Sequence, residues 1–315
     1  MLHLRIITPS ERAEDVVTTL REVAGTYNLI VLPGAAREPE GDVVLCDVAR
    51  ETGDDVVHAL RELGVDSFGS ISVENIDLTV SYGADRAEEE APGDSADAVL
   101  WDQLAETIHE ESTLSVTYLA FMTLATTLAA CGVVLDNAVL IVGAMAIGPD
   151  FGPLAGVSVA VVERRRRLVL RCLICLLVGF AAAIALTVLF SLGMDAAGLF
   201  HESQLTGRRP TTEFIVSPDV FSLIVGILAG IAGTLSLTSA KSGALVGVAI
   251  SVTTIPAAAN AAVALSYGNY TQTLASSEQL LLNLVAIAAA GILTLLAQKW
   301  LWRLRKRNGA TAPKR

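Results

Sequence analysis

Charge is scarce in this chain. Only 17% of its 315 residues are charged, 52% are apolar and 5% are aromatic, and the mean hydropathy is +0.55. A water-soluble domain of this size rarely shows that balance, so lipid is expected to be the main solvent of the fold. The few charges are unevenly placed. Residues 1–112 hold 25 acids against 7 Lys or Arg, and the remainder holds 8 against 15. The acidic half has no clustered Lys or Arg to displace phosphate counterions, which excludes nucleic acid as a partner. Histidine and cysteine number four each. Cys46, Cys131, Cys172 and Cys175 are scattered without ligands at metal spacing, and His3 and His58 have no companions, so no metal and no cofactor is implied. The cysteines read as small buried apolar residues. Met1 to Ile7 carries no charged lead, long apolar stretch or small-residue cleavage site, so a secretory signal is not expected there.

What is present falls into two kinds of pattern. Leu2 to Thr8 alternates like a strand, Thr8 to Ala24 reads as a helix with Ser10 at its N-cap, and Asn28 to Leu32 and Asp42 to Val48 read as two strands. Asp54 to Leu63 repeats the helical period, and Ser70 to Asp77 supplies a last strand. The order βαββαβ predicts a ferredoxin-like α+β domain over residues 1–83. Residues 84–98 are acidic with Pro92-Gly93 and are expected to be a solvated linker. Residues 99–112 carry Leu104 and Ile108 at helical spacing beside Trp101 and are expected to form an amphipathic interfacial helix.

Residues 113–299 contain six apolar segments, Leu114 to Val134, Ala138 to Val162, Leu168 to Leu192, Val220 to Ala240, Gly243 to Tyr267 and Leu280 to Gln298, each about long enough to cross ~30 Å of hydrocarbon. Arg164 to Arg167, Lys241 and the basic tail over 300–315 place both termini in the cytoplasm of a multi-pass inner (plasma) membrane protein by the positive-inside rule. Residues 119–192 set against 223–296, a constant offset of 104, give 15 identities in 74 pairs. With three segments running in each sense, this predicts a 3+3 inverted repeat, an arrangement found in transporters. The second segment of each half is interrupted: Gly148-Pro-Asp-Phe-Gly-Pro153 and Thr253-Thr-Ile-Pro-Ala257. Proline removes an amide donor, so both helices are expected to kink or unwind there.

Asp150 is the only acid inside a predicted span, and an ionised group there costs ~2.5–3.5 kcal/mol on insertion scales unless it is compensated. Three readings stay open: it binds a cation, carries a proton, or caps the half-helix starting at Phe151. The candidate binding set is Asp150 with Gly148, Pro149, Gly152, Pro153, Thr253, Thr254, Pro256, Asn260 and Asn283. Thr126, Thr127 and Ser251 stand at a similar level, where hydroxyls also bond their own helix. Arg171 is expected to snorkel to the interface, and Gly226 and Gly230 to form a close packing seam. No paired intramembrane aspartates, Ser/His pair or phosphate-cradling glycine loop is present, so an enzyme is not expected.

The stretches Val142 to Pro153, Gly226 to Thr238, Leu245 to Ile250 before Pro256, and Asn283 to Ile287 resemble the prokaryotic membrane family known as domain of unknown function 389. The resemblance covers about residues 114–298 and implies architecture more than activity. The sequence departs from it at Asp150, where an apolar residue is expected, and at Ala257, where a second proline is usual. Architecture and patterning lead to two expectations. One is a transporter or channel for a small solute or ion with a cytoplasmic regulatory domain. The other is a membrane-anchored sensor or scaffold whose soluble domain binds a ligand or partner. In either case the partners are the lipid bilayer and further copies in a homo-oligomer.

Overall fold

The computed structural model describes residues 1–91, 99, 101–207, 220–238 and 246–309. Contacts divide the chain into two units, one built on Met1–Leu104 and one on Ala105–Leu237 with Ser242–Trp300.

The first unit runs β1 (Leu2–Thr8), α1 (Ala13–Glu22), β2 (Thr26–Arg37), β3 (Glu40–Val48), α2 (Gly53–Glu62), a single turn α3 (Val65–Phe68) and β4 (Ser70–Asn75). The strands form one sheet in the order β2-β3-β1-β4, and every neighbouring pair is antiparallel. Placing β3 between β1 and β2 is the split arrangement that the order βαββαβ implies. Alternation decides which face is buried. Leu2, Leu4 and Ile6 lie opposite Val48, Cys46 and Val44, and all six pack against Val16, Val17 and Leu20 of α1 and Val56 and Leu60 of α2. Cys46 is buried there, and desolvation pushes its thiol up to about 12.

Three boundaries differ from expectation. The first helix begins at Ala13, after a 3-10 turn over Ser10–Arg12. Ser10 does not cap it, because its hydroxyl donates instead to Asp42 Oδ1 at 2.6 Å. Strand β2 continues past Leu32 to Arg37, with pairing irregularities on the way to the Ala36–Gly41 pair. The acidic linker is helical at its start: α4 spans Tyr82–Glu90, capped by Ser81, whose Oγ accepts from the Gly83 amide. Ala84 and Ala87 are buried, and the Tyr27 ring lies against Gly83, so this packing outweighs the acidic composition. Residues 92–98 of that linker lie outside the described residues.

Helix α5 spans Trp101–Glu111, the predicted amphipathic segment. The helical unit continues with α6 (Val116–Val134), α7 (Ala138–Ile147), α8 (Phe151–Val162), α9 (Arg166–Ala196), the short α10 (Glu202–Thr206), α11 (Val220–Thr238), α12 (Val246–Ser266) and α13 (Tyr270–Gly309). Among the described residues, α6, α9, α11 and α13 are each long and apolar enough to cross a membrane, and α7 with α8 make a fifth candidate span bent by 54°. The predicted fifth segment corresponds to α12. Residues 243–245 lie outside the described residues, as do the side chains of 246–253, and the described apolar stretch of α12 is Thr254–Ser266.

The expected interruption of segment five is corrected by the structure, since α12 is helical through Pro256. A single missing amide is tolerated in an apolar helix whose neighbours surround it. Here every residue from Ile255 to Ala264 is buried, with α6, α7 and α9 packed around the helix.

Candidate functional site

The break between α7 and α8 is local in cause. Gly148 closes α7 by donating to Ala144 O at 3.1 Å, and its own backbone is extended, at φ −63° and ψ 125°. That is the conformation a following proline imposes on the residue before it. Pro149 has no amide to continue the ladder. Helix α8 reopens with the Leu154 amide donating to Asp150 O at 3.2 Å. Pro153 falls in the first turn of α8, where its missing amide costs no hydrogen bond.

Asp150 stands at the N-cap position of α8 and is 0% exposed. Its side chain makes no capping hydrogen bond. Oδ2 instead accepts from Thr254 Oγ1 at 2.5 Å, and Thr254 is also fully buried. The donor and acceptor are 104 residues apart, the same offset that aligns the two halves of the sequence. Gly148 shares the contact: a Cβ there would lie 3.0 Å from Ile255 Cγ1 and 3.1 Å from Asp150 Oδ1. Backbone of the break is therefore held directly against α12.

Gly152 and Gly156 form a flat strip on α8 that admits α5. A Cβ on Gly152 would lie 2.5 Å from Glu111 Oε2, and one on Gly156 would lie 2.6 Å from Ile108 Cγ2 and 2.8 Å from Cys172 Sγ. The Glu111 carboxyl thus reaches the first turn of α8, where the helix dipole favours negative charge. Burial, and then neighbouring Glu110, raise its pKa. Glu111 was absent from the sequence-derived set because α5 reads as an interfacial helix, and only the glycine strip reveals where its last turn docks.

The remaining candidates divide. Asn260 is not at the break. Its Nδ2 donates to Ser276 Oγ at 2.8 Å, and Gln272 Nε2 donates to its Oδ1 at 3.5 Å. Asn283 is buried against α11, with its Oδ1 3.7 Å from a Cβ placed on Gly226. The side chain of Thr253, like that of Ser251, lies outside the described residues. Thr126 and Thr127 bond the Met122 and Thr123 carbonyls of their own helix. Gly230 is a packing contact, since a Cβ there would lie 2.5 Å from Ile287 O. Arg171 donates to Thr113 Oγ1 at 2.6 Å and meets His109 Nε2 at 2.9 Å. His3 bonds Asp47 at 2.7 Å, and no group of three or more metal-ligating residues occurs among the described residues.

A helical core with apolar helices long enough to cross a membrane, and a carboxylate buried at a helix break, defines the class of protein. Residues 145–289, the stretch holding the break, α12 and Asn283, match the family described as "Domain of unknown function (DUF389)". It is also similar to an uncharacterized protein of Methanocaldococcus jannaschii, 25% identical over 210 residues, or 67% of this chain and 63% of that protein. The match therefore spans less than two thirds of that relative's length. No solved structure matches the chain.

Proposed function

We propose that this chain is a transporter or channel for a small solute or ion, built from two inverted three-segment halves, with Asp150 and Thr254 at its binding site. The observation that supports the reading most is the Thr254–Asp150 hydrogen bond between two fully buried residues. In a pair of repeats related by a two-fold axis, equivalent positions meet only at the axis, and these two are equivalent under the offset of 104. Binding sites of such transporters lie where the halves meet, beside unwound helix. Asp150 supplies charge, Thr254 a hydroxyl, and the end of α7 the outward-pointing carbonyls of its last turn. That combination attracts a cation or a proton donor.

In this reading no covalent chemistry is catalysed. The α+β unit is a regulatory domain in the cytoplasm, both termini are cytoplasmic, the helices lie in the inner membrane, and the protein works as a homo-oligomer. Full-length protein reconstituted into liposomes and screened for flux of candidate ions and small metabolites tests the proposal. Flux is expected in the wild type and lost in Asp150→Asn, which keeps the shape but removes the charge. An Asp150→Asn variant that transports at the wild-type rate with unchanged pH and cation dependence would remove Asp150 from the site.

A further inference from the structure

Three side-chain hydrogen bonds join the first half of the helical unit to the second. Thr254 donates to Asp150, Lys299 to Glu163, and Tyr267 to Asp195 at 3.2 Å. The offset of 104 relates all three. Asp150 and Thr254 are equivalent to each other. Glu163 is equivalent to Tyr267, and Asp195 to Lys299, the latter two lying three residues past the aligned stretch but still within α9 and α13. Exchanging the halves therefore turns the Glu163–Lys299 contact into the Tyr267–Asp195 contact. A two-fold axis produces this pattern: one pair on the axis, and one contact repeated on either side of it.

Helix lengths give these contacts their heights. Helix α9 starts at Arg166, just after Glu163, and ends at Ala196, beside Asp195. At ~1.5 Å per residue, Arg166 and Asp195 are ~44 Å apart. Glu163 with Lys299 and Asp195 with Tyr267 thus stand at opposite ends of a helix long and apolar enough to cross a membrane. Helix α8 runs back along α9 from the first end, with Gly156 against Cys172, and α12 packs along α9 from the other. Asp150 precedes Glu163 by as many residues as Thr254 precedes Tyr267, ~20 Å along α8 and α12. The central pair is therefore midway between the outer two. With both outer contacts made, Asp150 and Thr254 are fully buried.

From this symmetry we infer that Glu163–Lys299 and Asp195–Tyr267 are the two gates of an alternating-access carrier, one at each face of the membrane. Opening toward one face breaks Glu163–Lys299 and keeps Asp195–Tyr267, and opening toward the other does the reverse. The conformation with both made is the occluded one. This rests on the proposed transport function and decides between its two forms, carrier and channel. Contacts related by a two-fold axis exchange roles when the two halves exchange conformations, which presents a central site to each face in turn. A channel is open through its whole depth at once and gains nothing from equivalent closures at both ends. The two gates differ in strength. Glu163 and Lys299 form an ion pair with side chains 17% and 29% exposed, whereas Asp195 is exposed and meets a neutral hydroxyl. The Glu163 gate is the firmer of the two, so the protein opens more often at the Asp195 face.

Two measurements test the gates separately from the transport reading. In full-length protein with the native cysteines replaced, Thr254→Cys is exposed to a small, charged thiosulfonate applied to one face of oriented membrane vesicles at a time. Labelling should be slow from both faces, and faster from the Asp195 face than from the other. Adding Glu163→Gln should raise it about tenfold from the Glu163 face only, the weight of one hydrogen bond to a charged group. The charge swap Glu163→Lys/Lys299→Glu should return it to the starting rate. Asp195→Asn and Tyr267→Phe should each raise it about threefold from the Asp195 face only, as for an exposed pair. Unchanged labelling in every variant, or a rise from both faces in a single one, overturns the gates and leaves the Asp150–Thr254 site standing. The second measurement uses Glu163→Gln/Asp195→Asn in valinomycin-treated proteoliposomes, where a potassium gradient sets a potential that any continuous path for protons or sodium discharges. The potential should last as long as in wild type, because the two ends do not open together. Its rapid loss overturns the carrier assignment and leaves a channel. Absence of flux for every solute in the liposome screen overturns the transport reading, and with it the carrier assignment.

Discussion

Two stretches of this chain carry proline within a residue of corresponding places, and they answer differently. Under the offset of 104, Pro153 aligns beside Pro256. Yet α7 and α8 are separate helices bent by 54°, while α12 runs helical through its proline. The first stretch has two prolines four residues apart and a glycine before each. A helix crossing it would lose two amide donors within one turn, whereas a cut at Pro149 places Pro153 where no donor is needed. Pro256 stands alone, midway along α12, among alanines buried on every side. The comparison teaches that the number and spacing of prolines, together with the packing around them, decide whether a helix opens. It also explains why, among the described residues, the first stretch opens its backbone while the second meets it with the side-chain hydroxyl of Thr254.

The comparison is broken most severely by joining α7 to α8. Pro149→Ala/Pro153→Ala restores both amides and should lengthen the helix across the break, moving Asp150 away from Thr254. Transport should fall a hundredfold or so, on the scale of a misplaced binding group, with monodisperse protein in detergent showing that the core still folds. Wild-type flux in this double variant would mean that the break does not form the site.

Removing the partner instead of the break should cost less. Thr254→Val leaves the Asp150 carboxylate without that donor, a loss of ~1–3 kcal/mol for a buried acceptor. Thermal unfolding in detergent should occur earlier than in wild type, and Thr254→Ser should recover most of the difference. A similar loss, ~1–3 kcal/mol from overpacking, is expected for Gly230→Leu, where Ile287 O blocks any side chain.

The smallest effects concern groups away from the break. Pro256→Ala should change stability by no more than ~1 kcal/mol, since the helix already passes through that position. In the α+β unit, the Ser10 hydroxyl, and then the Gly34 amide, hold the Asp42 carboxyl below its usual range. A carboxylate depressed in the folded state stabilises above its unfolded pKa and loses that contribution as pH falls through the folded value. Acid titration of Asp42 followed by NMR in an isolated 1–91 fragment should therefore show a midpoint below an ordinary aspartate, and Ser10→Ala should move it upward.

Part of this structure is legible in the sequence because it is written in local patterns. Alternation along Leu2 to Thr8 and Asp42 to Val48 fixes which side chains form the core, and the βαββαβ order follows from the periods. Apolar length marks the spans, and Gly-Pro-Asp-Phe-Gly-Pro over 148–153 announces a break. Element ends are less legible, because they depend on partners. Ser10 leaves its expected cap for Asp42, thirty-two residues away. Residues 82–90 are helical despite four acids, because Ala84 and Ala87 are buried.

What only the tertiary structure decided is which polar groups meet. Sequence position put Asp150, Asn260 and Asn283 at one level, but helix packing sends them to three different partners: Thr254 on α12, Ser276 on α13, and the Gly226 face of α11. It also brings Glu111 to Gly152 and leaves the Thr187 and Ser191 hydroxyls without a hydrogen-bond partner among the described residues. Periodicity fixes the face of a helix on which a residue lies. Which neighbour covers that face, and at what height, is settled by close packing of side chains from distant parts of the chain.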